Sequence, residues 1–277
     1  MPELPEVETI KQQLANAIIG KKIKNVKINL AKMVNLPVAK FKNAVIGAKI
    51  QDVKRRAKIL IFNLDNNWSI LIHLKLTGQL IFRDGKTAND LPIKYIHIIY
   101  YFTDGAKLYH NDLRQFGWEH LIKTVSLPEY WQKEKLGPEP LAKDFDLTKF
   151  TQILKSRPKA IIKPLLMDQK AIAGIGNIYS DESLFVAKIL PTRKIFTLKP
   201  REVAKLFQAI KQVLTKAITK HGSSIRNYVD SQGQKGNFAP ELFVYNRHGQ
   251  PCKKCGVKIA RLKLRGRSTH YCPHCQK

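Results

Sequence analysis

Ala173-Gly174-Ile175-Gly176-Asn177 is a glycine-rich turn set directly before an amphipathic stretch carrying Ile178, Leu184 and Phe185. The spacing predicts a helix with Asn177 as its cap, and the free N–H groups at such a helix start face an anion, phosphate above all. A cap without any ligand fits the same residues. Downstream, Pro200 opens a clear helical period through Val203, Leu206, Phe207, Ile210, Val213, Leu214 and Ala217 to Gly222. Residues 222–240, rich in Ser, Gly and Asn, then read as a long mobile loop of the kind that is usually functional. Upstream, Pro128, Gly137-Pro138 and Pro140 interrupt a stretch without periodicity, which suits an interdomain connection. Residues 23–121 carry short β-like runs, including 44–53, 59–64, 68–74 and 93–102, parted by Asp65-Asn66-Asn67, Asp84-Gly85 and Asp104-Gly105. They predict a β-rich domain, a sandwich or a flattened barrel. Residues 5–20 form a helix, with Val7, Ile10, Leu14, Ala17 and Ile18 on one face and Gly20 as its stop.

The chain has 277 residues, enough for two cores, and 44% of them are hydrophobic. Its 37 Lys and 12 Arg stand against 21 Asp and Glu, giving a net charge of +28 and pointing to a polyanionic partner such as nucleic acid. The alternative source of part of this excess is a lysine-biased codon usage, since Lys outnumbers Arg threefold. No run approaches the roughly 18 apolar residues of a membrane span, and the acidic start lacks the order of a signal peptide. A cytoplasmic protein is therefore expected.

All four cysteines lie in the last 26 residues: Cys252-x2-Cys255, sixteen residues, then Cys272-x2-Cys275. Four thiolates at this spacing suit one structural Zn²⁺. His270 and His274 stand as competing ligands, and a redox dithiol would need only one pair. Between the pairs, alternation of Val257, Ile259, Leu262 and Leu264 and a turn at Arg265-Gly266-Arg267 predict a zinc-held β-hairpin. Residues 252–277 hold eight basic residues and no acidic one, which suits phosphate contact or, more simply, a solvated small domain.

The chain opens Met1-Pro2-Glu3-Leu4-Pro5-Glu6. With Met1 removed, Pro2 becomes a free secondary amine beside the carboxylate of Glu3. An α-amino group titrates near 8, about 2.5 units below lysine, so much of it is nucleophilic at neutral pH. A secondary amine condensing with a sugar aldehyde carbon gives an iminium with no N–H proton to lose, a persistent electron sink. The plainer use of these residues is a helix start, with Pro5 in the first turn and Glu6 and Glu8 complementing the dipole.

Ile162-Lys163-Pro164-Leu165-Leu166-Met167-Asp168, Gly174-Ile175-Gly176-Asn177-Ile178-Tyr179 and Asp181-Glu182-Ser183-Leu184-Phe185 together resemble the helix-two-turn-helix of the formamidopyrimidine-DNA glycosylase family. Pro2-Glu3-Leu4-Pro5-Glu6-Val7-Glu8 and the four-cysteine module resemble the same family in the same order, so the likeness spans nearly the whole chain. It implies an α+β fold: an N-terminal helix plus β-sandwich domain, then a C-terminal helix-two-turn-helix domain with a β-hairpin zinc finger. The implied division is a catalytic domain at 1–128, a linker at 129–146, the helical domain with a lesion-capping loop at 147–240, and the zinc hairpin at 241–277. The implied activity is a bifunctional DNA glycosylase and AP lyase. It removes oxidised purines, 8-oxoguanine and formamidopyrimidines, from duplex DNA, working as a monomer in the bacterial nucleoid.

Carried over residue by residue, the resemblance makes Pro2 the nucleophile and Glu3 the proton donor and acceptor. Lys58, in Arg55-Arg56-Ala57-Lys58, assists elimination, and Arg267 grips the phosphates around the lesion. Lys159, Lys163 and Asn177 become DNA contacts, and Leu76, Arg114 and Phe116 fill the void left by the extruded nucleotide. Tyr95 falls where the family often has a DNA-contacting histidine, with His97 two residues on. The chain departs from the family's pattern at Leu76, where methionine is usual, and at Leu113 and Gln115, where proline and a second arginine are typical. The alternatives are an endonuclease VIII-like enzyme for oxidised pyrimidines, which shares Pro2 and Glu3, and a non-catalytic zinc-finger protein, which gives Pro2 and Glu3 no role.

Overall fold

Helix α1 (Leu4–Ile18) buries Leu4, Val7, Ile10, Leu14 and Ile18 along one stripe, as the 3.6-residue period requires. It stops short of Gly20, whose φ of +83° the chain uses to turn away. The structure, a computed structural model, describes residues 1–85 and 95–277, which divide into two units: Met1–Glu134 with Lys220–Asn237, and Lys135–Thr219 with Phe238–Lys277.

In the first unit α1 packs on a sandwich of two four-stranded antiparallel sheets. One runs in the order β1 (Ile23–Ile28), β6 (Ile96–Phe102), β7 (Lys107–Asp112), β5 (Gly78–Arg83), and the other β2 (Ile50–Arg56), β3 (Ile59–Leu64), β4 (Trp68–His73), β8 (Trp118–Lys123). Residues 44–53, expected as one strand, divide between the end of α2 (Val38–Val45) and β2. Phe41 and Val45, four residues apart, bury one helical face there. Residues 93 and 94 of the expected 93–102 strand lie outside the described residues. The connection expected from residue 129 begins inside α3 (Leu127–Glu134), because Tyr130 and Trp131 pack on Ile59, Ile61 and Leu71.

Residues 222–240 were expected as a mobile loop within the helical domain. Lys220–Asn237 instead belong to the first unit, tied there by hydrogen bonds to α1 and β5. The Ser223 N–H donates to Glu6 at 2.8 Å and the Ser231 N–H to Gln13 at 2.9 Å. The Gln13 amide donates to Asp230 at 2.8 Å, and the Phe82 N–H donates to the Ser231 carbonyl at 2.8 Å.

The second unit contains α4 (Leu147–Lys155), α5 (Ile162–Met167), α6 (Asn177–Ala187) and α7 (Pro200–Thr219), followed by a hairpin of β9 (Ala260–Leu264) and β10 (Arg267–Tyr271). Glu182 on α6 accepts the N–H groups of Phe243, Val244 and Tyr245 at 2.8–2.9 Å. Burial pushes the Glu182 carboxyl up, against the pull of those donors.

A polar triad crosses the interior of the sandwich. Glu119 on β8 accepts the Tyr100 hydroxyl from β6 and His110 Nδ1 from β7 at 2.8 Å, and His110 and Glu119 are wholly buried. It joins the two sheets through side chains. Replacing Glu119 with Ala strands two buried partners and is expected to cost about 3 kcal/mol in urea unfolding, while Tyr100→Phe costs about 1 kcal/mol. An unchanged midpoint for Glu119→Ala would refute the cross-link.

Candidate active site and nucleic-acid interface

Pro2 is buried and Glu3 is 2% exposed, at the head of α1. Glu3 is its N-cap in a reciprocal capping box: its carboxylate accepts the Glu6 N–H, and Glu6 accepts the Glu3 N–H at 2.8 Å. The other oxygen of Glu6 takes the Ser223 N–H. Gly222 has φ +80°, and a Cβ on it would sit 2.8 Å from Glu6 Oε1, so this corner requires glycine. Burial lowers the pKa of the chain's α-amino group below 8.0. Glu3 and Glu6 oppose this, and Lys58 and Arg226 add to it. That amine is Met1's; Pro2 carries the free amine only once Met1 is removed.

Lys58 is 6% exposed at the β2–β3 turn. Arg55 braces that turn: Nε meets Glu8 Oε2 at 2.7 Å and Nη1 donates to the Ala57 carbonyl at 2.9 Å. At the end of β4, burial pushes His73 down to about 3, with Lys75 and Lys58 adding to the effect. The Lys75 N–H donates to His73 Nδ1 at 2.9 Å, which leaves the proton of the neutral ring on Nε2. His73 is thus an uncharged donor among cations. Sequence reasoning missed it, although it heads the His73-Leu74-Lys75-Leu76 segment; its signal is the two lysines around it, visible only in space.

Leu76 sits half-buried on the turn that the Gly78 N–H closes on the Leu74 carbonyl at 2.9 Å. Arg114 and Phe116 stand exposed on the β7–β8 loop, the guanidinium 4.8 Å from the ring centroid. Leu113 is exposed there too, and Gln115 holds φ +56°. Tyr95 is half-buried just before β6. His97 turns inward, Nε2 donating to the Asp112 carbonyl at 2.9 Å.

In the second unit the structure corrects two expectations. The cap of α6 is Gly176 in extended conformation. Asn177 is its first helical residue, with a buried Oδ1 that has no hydrogen-bond partner. Lys163, expected on DNA, is 1% exposed: its ammonium lies 2.7 Å from Asp181 Oδ1 and donates to Thr269 Oγ1 at 2.9 Å and the Ser268 carbonyl at 3.1 Å. A buried ammonium needs a counter-charge, and Asp181 supplies it. Asp181 also accepts the His270 N–H at 2.9 Å, so α5 and α6 together hold β10 next to Arg267. Arg267 is exposed at the start of β10, after the Arg265-Gly266 turn, and Lys159 is exposed before α5. Lys163, Arg265 and Arg267 line a cavity of about 380 Å³ together with Arg157, which is ion-paired to Asp168.

The Sγ atoms of Cys252, Cys255, Cys272 and Cys275 all lie within 4.8 Å of one another, two of the pairs at 4.0 and 3.5 Å. Tetrahedral zinc with Zn–S bonds of about 2.3 Å sets its sulfurs ~3.8 Å apart, so the four thiols fit one structural Zn²⁺. His270 is committed to Asp181, its Nδ1 3.3 Å from Oδ2, and is not part of the cluster.

A buried, carboxylate-lined helix start and a cationic hairpin whose four thiols fit zinc suit an enzyme acting on nucleic acid. Three family models match the chain: Formamidopyrimidine-DNA glycosylase N-terminal domain at residues 1–118, Formamidopyrimidine-DNA glycosylase H2TH domain at 136–229, and the zinc finger found in FPG and IleRS at 249–277. The formamidopyrimidine-DNA glycosylase of Pelotomaculum thermopropionicum is 43% identical over all of this chain and 99% of its own length, and that of Listeria innocua 41% over all of both. The Lactococcus lactis Fpg bound to DNA containing an abasic site matches with TM-score 0.91 and 37% identity, covering 99% of each chain. The chain belongs to the formamidopyrimidine-DNA glycosylase family.

Lys163→Met leaves Asp181 buried without a counter-charge and is expected to cost about 3–5 kcal/mol. The double variant Lys163→Met/Asp181→Leu is expected to regain most of it, as thermal unfolding of the zinc-loaded protein will show. His73 binds a proton in the unfolded chain below about 6.5 and in the folded chain only near 3. Its contribution to stability is thus whole above pH 6.5 and falls by about 1.4 kcal/mol per unit as the pH drops toward 3. His73→Gln should flatten that window in denaturation measured against pH.

Proposed function

We propose that this chain excises oxidised purines, 8-oxoguanine and formamidopyrimidines, from duplex DNA and cleaves the abasic site it creates. The observation that carries this reading is the head of α1, where Pro2 and Glu3 are buried and the Met1 amine shares its surroundings with Glu3, Glu6 and Lys58. After removal of Met1, the Pro2 nitrogen attacks C1′ of the extruded nucleotide. The bond from C1′ to the base breaks, and Glu3 delivers the proton that the leaving base requires. The Pro2 nitrogen then sheds its proton and its lone pair opens the sugar by breaking the C1′–O4′ bond, with Glu3 returning a proton to O4′. The resulting iminium takes up the electron pair left by loss of the C2′ proton, so the 3′ phosphate leaves, and a second elimination releases the 5′ phosphate. Lys58 steadies the charge on those phosphates, assisted by the uncharged Nε2–H of His73.

Arg267, Lys159 and Asn177 hold the bent backbone, with Tyr95 a further contact. Leu76, Arg114 and Phe116 occupy the vacated stack. Lys163 acts on DNA only through the hairpin it supports. Residues 220–237 cap the extruded base, anchored to the acid beside the nucleophile. Complexes of the Lactococcus lactis Fpg contain abasic-site and N7-benzyl-Fapy-dG DNA, and the same classes of duplex are the substrates assigned here. Among the described residues no helix is long and apolar enough to cross a membrane. We assign a monomer acting in the bacterial cytoplasm, on the nucleoid.

Borohydride added during reaction with a duplex carrying 8-oxoguanine opposite cytosine should trap a covalent adduct, mapped by mass spectrometry to Pro2. Trapping only with an oxidised pyrimidine would replace the substrate assignment. DNA binding without any adduct would remove the catalytic one.

A further inference from the structure

Asp112, the last residue of β7, is wholly buried, and its carboxylate faces a loop pair instead of a cation. One oxygen accepts the Thr77 hydroxyl and the Arg114 N–H at 3.2 Å, and the other accepts the Gly117 N–H at 2.7 Å. The Thr77 hydroxyl oxygen accepts the same Arg114 N–H at 3.0 Å. The Asp112 carbonyl receives His97 Nε2 at 2.9 Å and the Gln115 N–H at 3.2 Å, so the residue is held from the sheet behind it. Thr77 follows Leu76 directly in the chain. The turn bearing the apolar wedge and the loop bearing the guanidinium, already neighbours where Gly78 pairs with Asp112 across β5 and β7, are therefore hydrogen-bonded to one another through the Thr77 hydroxyl as well.

We infer that Thr77 and Asp112 are positioning residues that latch Leu76 to Arg114, so that both enter the duplex as one body and the fit of Arg114 to the opposite base is felt by the wedge. The inference rests on the proposed roles of Leu76 and Arg114. Two independent loops would each lose conformational freedom on insertion, and a mismatch at one would leave the other in place. Latched loops lose it once, and a base that rejects Arg114 withdraws Leu76 as well.

The test compares single-turnover excision of 8-oxoguanine opposite cytosine and opposite adenine, beside borohydride trapping on a preformed abasic duplex. Thr77→Val keeps the branched shape and removes the hydroxyl. It should lower the cytosine-over-adenine ratio by about fivefold, the scale of one hydrogen bond, while abasic trapping stays within about twofold. Thr77→Ser, which restores the hydroxyl, should keep the wild-type ratio. A full ratio in Thr77→Val would overturn the latch, as would an equal loss of excision and trapping, which marks a purely structural residue. Arg114→Ala separates the two levels: an unaltered ratio there removes Arg114 as the reader, whatever Thr77 does. A wild-type enzyme without preference would overturn both.

Discussion

The carboxylate of Glu6 is the point on which the catalytic unit is built. It is 1% exposed and accepts two backbone N–H groups more than 200 residues apart in sequence, those of Glu3 and Ser223. The first fixes the chain start at the entrance of α1; the second carries the 220–237 segment to the same place. A buried carboxylate is stable only when its oxygens are filled, so neither partner can leave without stranding the other. The chain start and the 220–237 segment are in this way set by one side chain, and Gly222 is the residue whose missing Cβ allows it.

Much of this was legible from local pattern. The α1 stripe, the four cysteines and the Gly174–Asn177 turn are short-range signals: a helical period, ligand spacing and a backbone that needs glycine. β3 runs over Ile59–Leu64, the bounds read from the sequence, because its apolar run is bounded by turn residues on both sides. What escaped were pairings between distant residues. Lys163 is assigned to DNA by the family resemblance, as a cation near the phosphate-contacting turn. Its partners Asp181 and Thr269 lie 18 and 106 positions away, and nothing near it in the chain announces them. Residues 222–240 read as a mobile loop from their Ser, Gly and Asn content, yet the Ser223 and Ser231 amides are taken by Glu6 and Gln13 on the opening helix. α3 was hidden for a related reason: its apolar face is only Tyr130 and Trp131, too few for a period and recognisable only by the sheet they cover.

Two ways of using charge coexist in the chain. Where a cation is buried it is paired and holds backbone, as Lys163 does through Asp181. Where the proposed reaction needs a polar donor among cations, burial and neighbouring lysines strip the charge instead, as at His73, held down to about 3. A neutral imidazole can donate to an oxygen at neutral pH without the desolvation penalty of an ammonium, and it leaves Lys58 as the charged group at that place.

The fold makes the surface of a chain with net charge +28 more one-sided still. Seven acids are buried among the described residues: Glu3, Glu6, Asp112, Glu119, Asp181, Glu182 and Asp230. Each accepts backbone N–H groups or buried side-chain donors: Glu182 takes three consecutive amides, Asp112 the loop amides beside Arg114, and Asp181 the amide of His270. With a third of the 21 carboxylates turned inward, the lysines and arginines that remain outside face few opposing charges. Surface acids would neutralise the phosphate-facing side and weaken binding through lost counterion release, whereas buried ones sit behind protein and fix the loops on which the cations ride. The same residue type that would harm DNA binding at the surface is what positions Arg114, Arg267 and the chain start from within.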